Sequence, residues 1–168
     1  GKMAASYVRG IQSQGIYACP KHFAVNSQEL RRMAMNSVLD ERTLREIYLT
    51  GFEIAIKEGK AKSIMTSYNE VNGVYANENE HLLKEILREE WGFDGVLMSD
   101  WSTTAPEDGS IPWKCIEAGN DLIMPGSEKD DADIRQAYAD GRLSEKEIRL
   151  CAGRIISLIN KLDKKTKK

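Results

Sequence analysis

Three short groups of residues in this chain combine types that could do chemistry: Lys21-His22, Tyr68-Asn69-Glu70 and Asp100-Trp101. Each follows a short apolar run, and Pro125-Gly126 follows a fourth. Cationic, hydrogen-bonding, aromatic and acidic groups gathered in this way suit a polyhydroxylated ligand. Charged and amide groups would take the hydroxyls, and an aromatic face would cover the apolar side of a sugar ring. Asp100 is the first catalytic candidate, because Asp94-Gly95 signals a turn and Val96-Leu97-Met98 reads as a buried strand leading to it. In barrel enzymes a carboxylate just past a strand's C-terminal end lies where substrate binds. Other readings stay open: a lone Asp after a strand can cap a helix or form a turn, Lys-His is a common surface pair, and Tyr68 can simply pack. Asp94 reads as a turn former and Asp121 as structural.

The elements that must position these groups follow from periodicity. Met3, Ala4, Tyr7, Val8 and Ile11 recur at helical spacing, and Gly15 ends that helix. Ile16 to Cys19 is then a strand candidate, and a polar loop covers Asn26 to Arg32. Asp40 can cap a helix with Leu44, Ile47, Tyr48, Phe52 and Ala55 in one stripe, stopped by Gly59. Ser63 to Ser67 is the second strand, Val71 to Asn77 a loop, and Leu82, Leu83, Ile86, Leu87 and Trp91 share one face of a helix over 79–91. The third strand leads to Asp100. A breaker-rich binding loop spans Ser102 to Pro112, and after it come a short helix and a fourth strand over 121–124. A helix over 131–139 follows, and Ser144 with Glu147 forms a capping box before Ile148, Cys151, Ile155, Ile159 and Leu162.

Four βα units in this order predict an α/β fold of parallel strands with right-handed crossovers. A closed (β/α)8 TIM barrel needs eight units, so the expectation is half of one with an extra C-terminal helix, one domain over 1–162. Residues 163–168 form a basic tail, expected to be disordered. Four strands standing alone would expose two edges and an apolar inner face, so self-association as a homo-oligomer is expected.

A composition of 41% hydrophobic and 30% charged residues with a formal net charge of −2 gives no electrostatic reason for nucleic acid or an anionic membrane as partner. No apolar run is long enough to span a bilayer and no signal peptide opens the chain, so a soluble protein is expected, its compartment left open. Cys19, Cys115 and Cys151 are odd in number and widely spaced, which supports neither a disulfide framework nor a metal site. No cofactor is expected.

The stretches Pro20 to Glu29 with Arg32-Met33, Glu41 to Leu49, Ser63 to Asn69, Trp91 to Trp101 and Ala118 to Gly126 together resemble glycoside hydrolase family 3, in its β-glucosidase-like members. The resemblance runs from near Met3 to about Leu162 in unbroken motif order. It implies the second half of a (β/α)8 barrel acting by retention on a β-glucoside or related oligosaccharide. Asp100 matches the nucleophile that forms a covalent glycosyl-enzyme. Lys21, His22 and Arg32 match residues holding the hydroxyls of the nonreducing-end sugar, Tyr68 matches the residue beside the nucleophile, and Trp101 matches a wall of that subsite. Cations such as Lys21 and Arg32 would favour an ionised nucleophile, and a Tyr68 hydrogen bond would orient it.

Departures from the family pattern also matter. The loop Ala24 to Glu29 lacks the Gly-His-Gly-Asp-like signature of members acting on N-acetylglucosaminides, which disfavours that substrate. The first half-barrel and the separate domain that supplies the acid/base carboxyl have no counterpart in this sequence. The chain alone is therefore expected to be inactive. Two other readings remain: a non-catalytic folding module or sugar-binding scaffold, and a Schiff-base enzyme using Lys21.

Overall fold

The computed structural model describes residues 1–166, and these form six strands and six helices. Helix α1 (Lys2–Ser13) buries Ala5 and Val8, and Gly15 follows at φ 83°. Met3, Tyr7 and Ile11 of its expected stripe are exposed, because the helix packs inward through the two smaller residues. After β1 (Asn36–Ser37), Asp40 caps helix α2 as expected, its Oδ1 accepting from the Thr43 N–H at 2.7 Å.

Helix α2 covers 41–57 with an α-helical start and end, Glu41–Thr43 and Thr50–Lys57, around a π-helical centre, Leu44–Leu49. A π-helix bonds i to i+5, so its buried face repeats at wider spacing than an α-helix's. Leu44 and Leu49 consequently both lie in the core, and Ile47, expected in the stripe, is exposed. Helix α3 (His81–Glu90) is π-wound throughout and buries Leu82, Leu83, Ile86 and Leu87, with Trp91 packed against them as the sequence pattern required.

The central sheet is parallel, in the order β2 (Ser63–Met65), β5 (Val96–Trp101), β6 (Leu122–Met124). A fourth run adds to its other edge, but not at Ile16 to Cys19. The Met65 N–H donates to the Pro20 carbonyl at 3.1 Å, the Phe23 N–H donates to Met65 at 2.8 Å, and Phe23 bridges Thr66 in parallel. The pairing starts later because Phe23 is the residue that reaches the core, fully buried edge-on to Phe52 at 5.1 Å, whereas Ile16 is exposed. The expected loop over 71–77 instead contains a hairpin, β3 (Glu70–Val71) and β4 (Val74–Tyr75), closed by Asn72-Gly73 with both residues at positive φ. Strand β3 pairs in parallel with β1, making a small second sheet.

Helix α4 (Pro112–Glu117) starts on proline, and α5 (Glu128–Ala139) starts three residues earlier than its pattern suggested because Ser127 caps it through the Asp130 N–H at 3.1 Å. Helix α6 (Glu145–Thr166) opens on the expected capping box, with the Glu147 N–H donating to Ser144 Oγ at 3.3 Å and the Ser144 N–H to Glu147 Oε2 at 3.0 Å. Lys167 and Lys168, the end of the basic tail, lie outside the described residues.

Asp121 ties this last helix to the sheet. Its fully buried carboxylate sits 2.8 Å from Arg88 on α3, 2.8 Å from Arg154 on α6 and 2.8 Å from the Leu97 N–H of β5. Replacing Asp121 with Ala would leave two guanidinium groups without their counter-charge, and we expect a loss of about 3 kcal/mol or more in urea unfolding.

A second, half-exposed clamp joins α3 to α2: His81 Nδ1 lies 2.6 Å from Glu85 and Nε2 lies 3.0 Å from Glu41. The hydrogen bond to Glu85 foremost, and that to Glu41, raise the His81 pKa against a smaller opposing effect of burial. A histidine whose pKa is raised on folding stabilises the fold fully below its unfolded value of roughly 6.5, and that contribution disappears as pH rises through the folded value. His81→Ala should therefore lower Tm more at pH 6 than at pH 9, in melting curves of the two proteins.

Candidate active site

Asp100 lies inside β5 rather than beyond its end. The register explains why: Met98 pairs with Leu122 and Trp101 with Met124, so three steps along β5 match two along β6. The extra residue is a β-bulge, a device that re-aims side chains beside functional sites. Ser99, fully buried, closes the gap: its Oγ accepts from the Met124 N–H at 2.9 Å and donates to the Asp100 carbonyl at 2.7 Å. The sequence alone assigns Ser99 no role. Register shifts leave no trace in an apolar run, so no local signal was available.

The same bulge directs the Asp100 carboxylate, which is 6% exposed, toward the first strand. Its Oδ1 accepts from the Trp101 N–H at 2.7 Å, and Oδ2 lies 3.3 Å from His22 Nε2. Burial, the largest cause, lowers the His22 pKa, with Lys21 and Arg32 adding to the effect and Asp100 opposing it. The lowered pKa favours the neutral imidazole, so its approach to Asp100 is not counted as an ion pair.

Tyr68 stands on the other side. Its hydroxyl donates to the Trp101 carbonyl at 2.8 Å and lies close to the Asp100 carboxylate. Burial first, and then the charge of nearby Asp100, raise the Tyr68 pKa. Arg32 stacks its guanidinium 4.4 Å from the centre of the Tyr68 ring and pairs with Glu29 at 2.9 Å. Glu29 was not singled out as a site residue, although its position three residues before Arg32 is the spacing of a local ion pair. Lys21 is exposed beside His22, and Trp101 presents its ring with 57% of its surface open.

All six candidates, Lys21, His22, Arg32, Tyr68, Asp100 and Trp101, thus come from the C-terminal ends of adjacent parallel strands and the loops after them. Asp94 lies at the opposite end of β5, paired with Lys62 at 2.9 Å and Lys161 at 3.3 Å, as a turn residue would be. The three cysteines are unpaired, with burial pushing the Cys151 thiol up to about 12. Among the described residues no group of three or more His, Cys, Asp or Glu side chains could hold a metal ion, and no helix is long and apolar enough to cross a membrane.

Parallel strands in sequential order, helices between them and polar side chains at the C-terminal ends define an α/β protein of the TIM-barrel kind, here half a barrel. More particularly, the chain belongs to glycosyl hydrolase family 3: the family's N terminal domain model matches residues 1–158. A β-glucosidase of Rhizobium radiobacter is 45% identical over 163 residues, covering 95% of this chain and 19% of the relative. An exo-alpha-(1->6)-L-arabinopyranosidase of Bifidobacterium breve is 40% identical over 161 residues, covering 96% of this chain and 20% of the relative. The solved structure of β-glucosidase 3B from Thermotoga neapolitana in complex with glucose superposes with a TM-score of 0.83 at 47% identity, covering 89% of this chain and 21% of that one. The chain therefore spans about a fifth of the length of the relatives it matches.

The bulge makes a prediction of its own. Ser99→Ala would leave the Met124 N–H without its acceptor, at a cost of about 1–2 kcal/mol in chemical denaturation, and the amide of Met124 should lose protection in hydrogen exchange.

Proposed function

We propose that this chain is the nucleophile-bearing half-barrel of a retaining β-glycosidase and that Asp100 is the nucleophile. The observation that supports this most directly is a nearly buried carboxylate on a β-bulge, held by the Trp101 N–H and faced by His22, at the strand ends of a family 3 fold. One Asp100 oxygen attacks the anomeric carbon of a nonreducing-end sugar as the bond to the leaving oxygen breaks. That oxygen takes a proton from an acid, and the glycosyl ester on Asp100 is then opened by water. The Trp101 N–H fixes the carboxylate's rotation, His22 and Lys21 receive hydroxyls, and the open Trp101 face covers the ring. Arg32, held by Glu29 and the Tyr68 ring, presents its remaining N–H donors to the same sugar.

Retention requires a second carboxyl about 5–5.5 Å from the nucleophile to act as acid and then base. In our reading that group and the other half of the sugar subsite come from outside this chain, as the share of each relative that it spans suggests. The isolated chain is therefore inactive on β-glucosides. Relatives named for glucose and for arabinopyranose leave the sugar to the parts of the site beyond these residues.

Both halves of the proposal can be tested together. The chain alone should release no nitrophenol from an aryl β-glucoside. A polypeptide joining it to a family 3 first half-barrel and acid/base domain should do so, and Asp100→Asn should lower kcat roughly a thousandfold or more. In that polypeptide a fluorinated mechanism-based glycoside should add its mass to the peptide containing Asp100. Label on another carboxylate would reject Asp100. Stabilisation of the chain by glucose, with no label on the joined polypeptide, would favour the sugar-binding scaffold.

A further inference from the structure

His22 owes its place to the backbone that follows it, and that backbone is held in an unusual way. On the apolar side Phe23 is fully buried against Phe52 and Trp91, with ring centres 5.1 and 6.1 Å away. On the polar side the Ala24 carbonyl accepts two side-chain hydrogen bonds, from Ser67 Oγ at 2.8 Å and from Asn69 Nδ2 at 3.2 Å. Two donors fill both lone pairs of a carbonyl oxygen, fixing the direction in which it points. The next residue, Val25, sits at φ 63°, a region where a β-branched side chain is a true outlier. Its carbonyl too accepts a side-chain hydrogen bond, from Ser37 Oγ at 3.2 Å.

Ser67 and Asn69 are both fully buried. The Asn69 Nδ2 also donates to the Glu70 carbonyl at 3.0 Å, and its Oδ1 is buried without a partner in the described structure. Neither side chain has a place in the proposed chemistry. A conformation this costly persists only where surrounding groups over-determine it, and such places collect at functional sites.

We propose that Ser67 and Asn69 are positioning residues: by clamping the Ala24 carbonyl they fix the turn over 22–25 and set the His22 imidazole against Asp100. They act on the sugar site through His22 and touch no substrate themselves. The inference rests on His22 belonging to the sugar site, but its test reads geometry and not turnover, so its failure is separable from a failure of Asp100 labelling.

The chain has two histidines, His22 and His81, so imidazole proton resonances can be titrated by NMR and assigned with His81→Gln. The groups that act on His22 are Asp100, Lys21, Arg32 and Glu29, and burial is the largest influence, lowering its pKa. In Ser67→Ala and in Asn69→Ala the released turn should let His22 into solvent, and its pKa should rise toward that of a free imidazole. The raised pKa of His81, which lies on α3 within 2.6 Å of Glu85 and 3.0 Å of Glu41 on α2, should persist and certify the fold. Ser67→Thr, which keeps the hydroxyl, should leave His22 as in the parent. A His22 titration unchanged in folded Ser67→Ala and Asn69→Ala overturns the proposal. Should Asn69→Ala not fold, Ser67→Ala decides, with Ser37→Ala, which frees only the Val25 carbonyl, expected to move His22 in the same direction.

Discussion

The site depends on one mismatch between neighbouring strands: three residues of β5 set against two of β6. Without it, Asp100 would alternate with Ser99 as in any pleated strand, and the direction of its carboxylate would follow from the pairing register alone. The extra residue frees that direction, and Ser99 makes the irregularity tolerable by accepting the β6 N–H that the ladder would otherwise leave unpaired. The Trp101 N–H then becomes available to the Asp100 carboxylate, a short backbone bond that does not depend on the orientation of any long side chain. The proposed nucleophile would have to be aimed to within a fraction of an ångström, and a bond within adjacent residues of one strand is a stiff way to do it.

Around this centre the two ends of the half-barrel do different work. At the C-terminal ends of the strands, groups from three neighbouring segments meet: His22 in the first run, Tyr68 after β2, Asp100 in β5. They are joined by weak or backbone-mediated contacts, which leave their polar faces open for a ligand. At the N-terminal ends the groups are paired with one another. Asp121 is enclosed by Arg88 and Arg154, and Asp94 is shared by Lys62 and Lys161. Both ends are rich in charge, but only one holds charge that is not already used for the fold.

The helices set where these strands can lie. The π-wound centre of α2 sets its buried Leu44 and Leu49 five residues apart, α3 adds Leu82, Leu83, Ile86 and Leu87, and together they form the core beneath the sheet. Phe23 joins this core from above through its contacts with Phe52 and Trp91. The packing of one aromatic ring thus fixes where the first run pairs with β2, and with that the height of Lys21 and His22 over the sheet.

The order of the elements, the caps of α2 and α6, the apolar face of α3 and the types of residue at the strand ends were all legible in the sequence, because each follows from local spacing or from a side chain bonding its own neighbours. Asp40 to Thr43 and Ser144 to Glu147 are contacts over three residues, which a chain cannot hide. The tertiary structure alone decided the rest. It moved the first strand from Ile16 to Phe23, turned Ile47 outward, made the hairpin at Asn72-Gly73, aimed Tyr68 at a backbone carbonyl and placed an extra residue before Trp101. Each of these depends on which residue of one segment meets which residue of another. Register between segments distant in sequence is set by packing and hydrogen bonds made only after folding, so no local pattern encodes it.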